Sequence, residues 1–266
     1  MHYFSPVLLL TLVVSIADAA TLAPATYAGV SGAAVLDSGA FVVVGGGPFD
    51  REENFEVIQR ADGGHTVVNT VTAKSGSYRV QGRFDWDADW NAQSADGIGF
   101  HDGKAVSIAM RRAGKQVNID VAPLNGSGKP KSAVTACDPS CFIDMSPSIM
   151  PMFVMTRHYD FAKGGEQDYL WAAQDLDNDR SLSTSVRMLF DANKEAKRSN
   201  NEPVRLRHFT FVESIPLPGG KVFKMSFDLW TDLEHRPMAF RAKSPGGAAA
   251  GIVGVRKGYE DLRGVL

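Results

Sequence analysis

Residues 78–90 read YRVQGRFDWDADW, and this stretch decides the fold class. One face carries Tyr78, Val80, Gly82, Phe84, Trp86, Ala88 and Trp90, and the other carries only arginine, glutamine and aspartate. Side chains alternate across a β-strand, so the pattern predicts a strand with one dry face and one wet face. Thirteen residues would extend about 43 Å, whereas typical strands have about five or six residues. The stretch therefore predicts an unusually long amphipathic strand.

The same alternation recurs along most of the chain, and turn signals such as DGG at 62–64 and AGK at 113–115 separate the alternating segments. Residues 221–233 form a second long segment of this kind, and residues 236–243 are expected to be the last strand. Helix is expected only near 146–150 and at 191–200. We therefore predict an all-β fold, a large antiparallel meander curved into an open or closed wide barrel with an apolar interior and very little helix.

The N-terminus has the pattern of a cleavable secretion signal, because an apolar run at 7–16 leads into small residues. Ten apolar residues are too few to span a bilayer. We expect a signal peptide at 1–19 and one β-barrel-like domain at 20–243, followed by a Gly/Ala-rich linker and tail at 244–266. Residues 124–151 of that domain form a long connector or cover. The expected location is periplasmic or secreted, with no transmembrane anchor after cleavage.

The charge balance of the chain does not point to a strongly polyanionic partner. Residues 1–19 hold Asp18 and no Lys or Arg, so 29 of the 30 acidic residues remain after cleavage against all 28 Lys and Arg. A near-neutral chain gives no reason to expect nucleic acid as a partner.

Two cysteines, Cys137 and Cys141, enclose the segment CDPSC. In an oxidising compartment they could form a disulfide around a turn at Pro139, and free buried thiols are the alternative. A zinc site would need more ligands than the nearby aspartates offer. Either state predicts a structural role for the pair.

Long strands with one apolar face suit a wide sheet that encloses a cavity better than a thin sandwich. A lining of aromatic and methionine side chains fits a lipid or another flat apolar molecule. The alternative is that these side chains pack against other parts of the core. The predicted ligand-lining residues are Tyr78, Val80, Phe84, Trp86, Trp90, Phe153, Met155, Phe223, Met225, Phe227 and Leu229.

The run EVIQR, DGG, HTVVNTV and SGSYRVQGRFDWDADW resembles the bacterial glycolipid-binding family. More loosely, the chain is similar to the half-barrel periplasmic carriers of lipoproteins. The resemblance covers roughly residues 55–240 and implies a large β-barrel with an apolar interior. It rests on strand pattern and turn placement, so it implies no individual functional residue.

Residues that could carry chemistry are sparse. The sequence has no G-x-S-x-G, H-E-x-x-H, P-loop or dinucleotide motif, and we assign no catalytic residue, metal or cofactor. The turn QDLDNDRSLS lacks the Gly and the bidentate Glu of a calcium loop. His158 and His208 could pair if their segments are neighbours. The candidates for binding a ligand head group at a cavity mouth are Arg111, Arg112, Arg205 and Arg207, with solvent-facing charges as the alternative.

Three hypotheses follow from these patterns. The first is an exported, non-enzymatic protein that binds a lipid, glycolipid or similar apolar molecule in a β-barrel cavity. The second is an enzyme acting on a hydrophobic or glycosylated substrate in the same cavity, which requires inward His, Asp or Glu side chains to meet. The third is a structural or surface-binding module, expected if the connector and tail fill the apolar face.

Overall fold

The structure is a computed structural model that describes residues 34–45, 50–101, 104–124, 128–138, 141–145, 148–175, 180–243 and 249–264. Within them lie fifteen strands, one α-helix and three short 3-10 helices. The strands are β1 Ala34–Val44, β2 Arg51–Gln59, β3 His65–Ala73, β4 Tyr78–Trp86, β5 Ala92–His101, β6 Lys104–Ala113, β7 Gln116–Pro123, β8 Lys131–Ala136, β9 Cys141–Met145, β10 Glu166–Asp175, β11 Arg180–Lys197, β12 Pro203–Pro216, β13 Val222–Thr231, β14 Pro237–Lys243 and β15 Ala249–Arg256. The helix α1 is Met150–Met155, and the 3-10 helices are Thr156–His158, Pro218–Gly220 and Glu260–Gly264.

All fifteen strands belong to one sheet, which confirms the all-β prediction. Strands β1 to β8 lie side by side in chain order, and β15 back to β9 continue from the other side of β1. Neighbouring strands are antiparallel except β9 and β10, which are parallel. The sheet ends at β8 and β9 and is not closed, although β8 lies close to β10 and β11. The sheet therefore curls until its two ends approach each other.

The long strand predicted at 78–90 is shorter than expected. β4 ends at Trp86, and the chain turns through Trp90, whose φ is 64°. The Asp87 carboxylate accepts hydrogen bonds from the backbone N–H groups of Asp89 and Asn91 at 3.0 and 2.8 Å, which stabilises the turn. The alternation of apolar and polar residues thus extends beyond the end of β4 into the turn, where it does not mark a strand. The longest strand is β11, with 18 residues.

The segment predicted as helix at 191–200 is instead the second half of β11. Residues Ala192–Lys197 pair with Pro203–His208 of β12, after an irregularity in the register at Phe190. The cross-strand partners decide the conformation here, because local helix propensity is a weak preference that tertiary pairing overrides.

The C-terminal segment contains a strand that the sequence analysis did not predict. β15 lies between β1 and β14 and joins the two halves of the sheet. The alternation of apolar and polar residues is not visible in β15 because the strand is rich in Ala and Gly. The strand predicted as the last, at 236–243, is therefore not the last. Beyond β15, Leu262 packs with Leu206, Trp230, Met238 and Val255 in a second buried cluster.

The connector fills the concave side of the sheet. All five residues of β9 and all six of α1 are buried. A Cβ added at Gly97 of β5 would lie 2.8 Å from the Met145 side chain, so this glycine leaves space for the Met145 side chain of β9 to pack against β5. The alternation of Phe153, Met155 and Tyr159 at 152–161 predicted a strand, and this prediction is wrong, since the segment begins in α1 and continues as a 3-10 helix. Pro151 in the first helical turn favours this start.

Candidate functional site

The predicted open cavity is not present on the described concave face. Phe84 and Trp86 are 1% exposed and Leu229 is 0% exposed, so these side chains pack against other parts of the protein instead of lining an open cavity. They belong to one buried cluster with residues of β9 and α1. The cavity is filled because the connector, which was expected to cover an opening, packs against the concave face of the sheet.

The other predicted lining residues have separate environments. Val80 is buried in β4, Met155 is buried in α1, and Tyr78, Met225 and Phe227 are partly buried. Phe223 is 39% exposed near the end of the β12–β13 hairpin. Trp90 and Phe153 alone among the predicted residues line the pocket described next.

A pocket of about 180 Å³ opens where α1 meets the start of β1 and the β4–β5 and β13–β14 turns. Its wall is mainly apolar, and its polar groups lie on the 3-10 helix after α1 and on the β13–β14 turn. The lining residues are Leu36, Asp37, Val57, Trp90, Met150, Phe153, Val154, Arg157, Glu234, His235, Arg236 and Pro237.

Arg157 is the charged group that distinguishes this pocket. Its guanidinium carbon lies 4.3 Å from the centroid of the Trp90 ring. Burial lowers the pKa of Arg157, with the charges of Asp232 and Asp37 opposing the shift, and an arginine remains charged at any physiological pH. Among the described residues, no hydrogen bond or ion pair is made by this side chain. The pocket therefore contains a positive charge without a direct counterion.

The acidic groups of the pocket are already paired. Asp37 accepts two hydrogen bonds from Arg256, at 2.6 and 2.9 Å, and both side chains are largely buried. Glu234 is 2.8 Å from Arg236 in an exposed ion pair. These pairs leave the charge of Arg157 uncompensated at contact distance.

His235 connects the β13–β14 turn to α1. Burial, followed by the charges of Arg207 and Arg157, lowers the pKa of His235 to about 4, so the ring is neutral at pH 7. Arg207 donates to Nε2, which assigns the proton to Nδ1, and Nδ1 then donates to the Thr156 Oγ1 at 3.0 Å. The Thr156 hydroxyl donates to the Phe153 carbonyl at 2.7 Å. This chain of hydrogen bonds holds the end of α1 beside the pocket.

Trp90 is held from several sides. The His65 ring stacks on it at 3.7 Å, and the His158 Nε2 donates to its carbonyl oxygen at 2.8 Å. Burial lowers the pKa of His158 and of His65, which favours their neutral forms. Trp90 and His235 are two of the three described non-glycine residues with positive φ. Such conformations concentrate at functional sites.

The predicted head-group arginines do not line the pocket. Arg111 contacts Asp96 at 2.5 Å and Arg205 contacts Glu195 at 3.7 Å, both as exposed pairs. Arg112 donates to the Gly114 carbonyl, and Arg207 donates to His235. Sequence reasoning missed Arg157 because TRH after an apolar run carries no signal of a pocket.

The two histidines considered as a pair are separate. His158 contacts Trp90, whereas His208 lies 2.8 Å from Asp191 and 3.2 Å from Asp228 and stacks on Trp230. The structure therefore does not bring His158 and His208 together.

The start of α1 is fixed by a buried carboxyl group. Glu53 of β2, 0% exposed, accepts hydrogen bonds from the Asn69 Nδ2 at 2.7 Å, the Ser148 hydroxyl at 2.8 Å and the Ile149 N–H at 3.0 Å. Burial raises the pKa of Glu53, although these bonds oppose the shift. This cluster ties the connector to the wall of the sheet.

Cys137 and Cys141 are joined by a disulfide with a Cα–Cα distance of 4.8 Å, which fits the predicted pairing. The bond links Cys137, which follows β8, to Cys141, the first residue of β9. The predicted signal peptide and the acidic turn at Asp177 and Asp179 lie outside the described residues. In the described part of the chain, no group of three or more His, Cys, Asp or Glu side chains could hold a metal ion. No helix in that part has the length and apolarity to cross a membrane.

Neither a family model nor a curated protein matches this chain. Among solved structures, it is similar to a beta-barrel-like protein of the domain of unknown function DUF1849 from Brucella abortus. That likeness has a TM-score of 0.52 at 8% identity and covers 83% of this chain and 94% of the other. A DUF1089 family protein from Pseudomonas aeruginosa matches with a TM-score of 0.42 at 17% identity, covering 74% and 90%. The chain therefore has a β-barrel-like fold.

Proposed function

We propose that this protein is an exported, non-enzymatic binding protein that holds the apolar part of a lipid, glycolipid or similar molecule. The pocket beside α1 is the binding site. The observation that carries the proposal is this pocket itself, which is lined by the apolar side chains of Leu36, Val57, Met150 and Val154. Leu36 is 42% exposed at the mouth, whereas the other three side chains are buried.

The size of the pocket sets what can enter. A cavity of about 150 Å³ holds one benzene molecule, so about 180 Å³ accommodates an aromatic ring or a chain of about six carbons. Burying about 120 Å² of such a probe contributes about 3 kcal/mol, which predicts dissociation constants around the millimolar range. A larger ligand would extend from the mouth or displace α1.

The test is titration of the full mature chain with hexan-1-ol, monitored by tryptophan fluorescence, together with native mass spectrometry for a retained molecule. Leu36→Asn should weaken hexan-1-ol binding at least threefold, since Leu36 lines the pocket and is 42% exposed. Leu124→Asn is the matched control, because Leu124 is 50% exposed and does not line the pocket. Equal binding by both variants, or no binding by the native chain, would contradict the proposal.

Export is supported by the disulfide, which persists in oxidising compartments. The mass of the protein recovered from the periplasm or medium should correspond to a chain that begins near Ala20. Recovery of the intact chain from the cytoplasm would contradict this part of the proposal.

A second candidate is a structural module, favoured by the packing of β9 and α1 against the concave face. That function predicts that neither the native chain nor its variants bind apolar probes, so the titration above separates the two candidates.

A further inference from the structure

We infer that Arg157 recognises an anionic head group, a carboxylate or a phosphate, on the molecule held in the pocket. The inference rests on the proposed function and adds the chemical class of the ligand. It makes the ligand an acidic amphiphile, with its charged group at Arg157 and its apolar part against the wall formed by α1 and β2.

The first argument is charge. Of the residues that line the pocket, Asp37 is engaged by Arg256, and Glu234 is engaged by Arg236. His235 receives a hydrogen bond from Arg207 and uses its own proton for Thr156. Among these lining residues, Arg157 is the cation left without a hydrogen bond or ion pair to a described residue. Asp232 and Asp37 attract Arg157 without an ion pair or hydrogen bond to it, so a ligand anion would supply the direct contact that the protein does not.

The second argument is access. Buried polar atoms without a partner occur elsewhere in the described chain, for example on Arg51 and Asp144, but the guanidinium nitrogens of Arg157 are not among them. These nitrogens have no partner among the described residues, and the Arg157 side chain lines the pocket and is only partly buried. Their N–H groups are therefore open to a ligand.

The third argument is orientation. The guanidinium lies over the Trp90 ring, and Trp90 is fixed by His65 and His158. An arginine stacked on an aromatic face keeps its N–H edge available for a planar, two-point interaction with a carboxylate or phosphate. Because the stacked group is held before binding, little side-chain freedom would be lost.

The experiment compares probes of equal chain length on the native full chain: hexanoate, hexyl phosphate, hexan-1-ol and hexylammonium. Hexanoate or hexyl phosphate should bind at least tenfold more tightly than hexan-1-ol, and hexylammonium should bind more weakly than the alcohol. The preference should decrease as salt is raised, because the site is open to solvent.

Arg157→Gln should remove the preference for the anions and change hexan-1-ol binding less than threefold. Arg236→Gln is the matched control, since Arg236 lines the same pocket but is paired with Glu234, and it should keep the preference. Equal binding of hexanoate, hexyl phosphate and hexan-1-ol by the native chain would overturn the inference and leave the proposed function intact. Binding of none of the probes would overturn both, and this comparison requires no variant to fold.

Discussion

Replacing Phe153 with alanine tests whether α1 really packs inside the sheet. The Phe153 ring is 1% exposed and stacks on Phe41 of β1 with a centroid distance of 5.4 Å. Truncating a buried phenylalanine costs about 3–5 kcal/mol, from lost transfer free energy and from the cavity that remains. Because Phe153 borders an existing pocket, its neighbours have space to relax, and we expect a loss of about 3 kcal/mol in the free energy of unfolding.

The assay is urea unfolding followed by circular dichroism, with thermal melting as a second readout. For a chain of this size, about 1 kcal/mol corresponds to about 2–4 °C in Tm, so Phe153→Ala should lower Tm by about 6–12 °C. The slope of the free energy against urea should not change, because the surface exposed on unfolding is nearly the same.

Phe223→Ala is the matched control. Phe223 was predicted to share the ligand-facing surface with Phe153, but its side chain is 39% exposed near a hairpin end. Its truncation should cost less than about 1 kcal/mol. A loss below about 1 kcal/mol for Phe153→Ala, or equal losses for both variants, would refute the packing of α1 in the concave face.

Further measurements address the connector and its contacts. Replacing Cys137 and Cys141 with serine should lower the free energy of unfolding by about 2 kcal/mol, because the closed loop is short. If adding a reductant left the free energy of unfolding of the native chain unchanged, this prediction would be wrong. Burial, then the charges of Glu213 and Glu53, raises the pKa of Asp144 well above 3.8, so the folded state retains a proton that the unfolded state releases. Native stability should therefore fall as pH rises from about 4 through that higher pKa, and Asp144→Asn should flatten the dependence measured by urea unfolding between pH 4 and 8; an unchanged slope would exclude this role. Gly97→Ala should cost about 2 kcal/mol or more, since its Cβ would lie 2.6 Å from a backbone oxygen of β4, whereas Gly264→Ala, with open space around it, should be neutral. Equal Tm values for the two glycine variants would show that Gly97 is not packed as closely against β4 and the Met145 side chain as the structure has it.

Much of the fold could be predicted from alternation alone. The turns after β2 and β6 lie where DGG and AGK were recognised, and β5, β6 and β7 follow each other as expected. Errors arose where local pattern and tertiary pairing disagree. Residues 191–200 have polar, helix-compatible composition but pair with β12.

The pocket could not be predicted in the same way. Arg157, His235 and Asp37 come from three distant parts of the chain, and their meeting depends on how the sheet curls. Trp90 was predicted as a lining residue and does line the pocket. That prediction placed it on the long strand, however, whereas β4 ends at Trp86.

The sequence by itself determined the secondary structure class, the apolar faces of the strands that alternate clearly and the proximity of the two cysteines. These properties depend on neighbours within a few residues, where alternation of side chains and turn chemistry act directly. Only the tertiary structure decided that β9 and α1 occupy the concave face and that Arg157 remains unpaired beside Trp90. Filling an interior and pairing a charge depend on volumes and distances between segments far apart in the chain, and no local pattern records them.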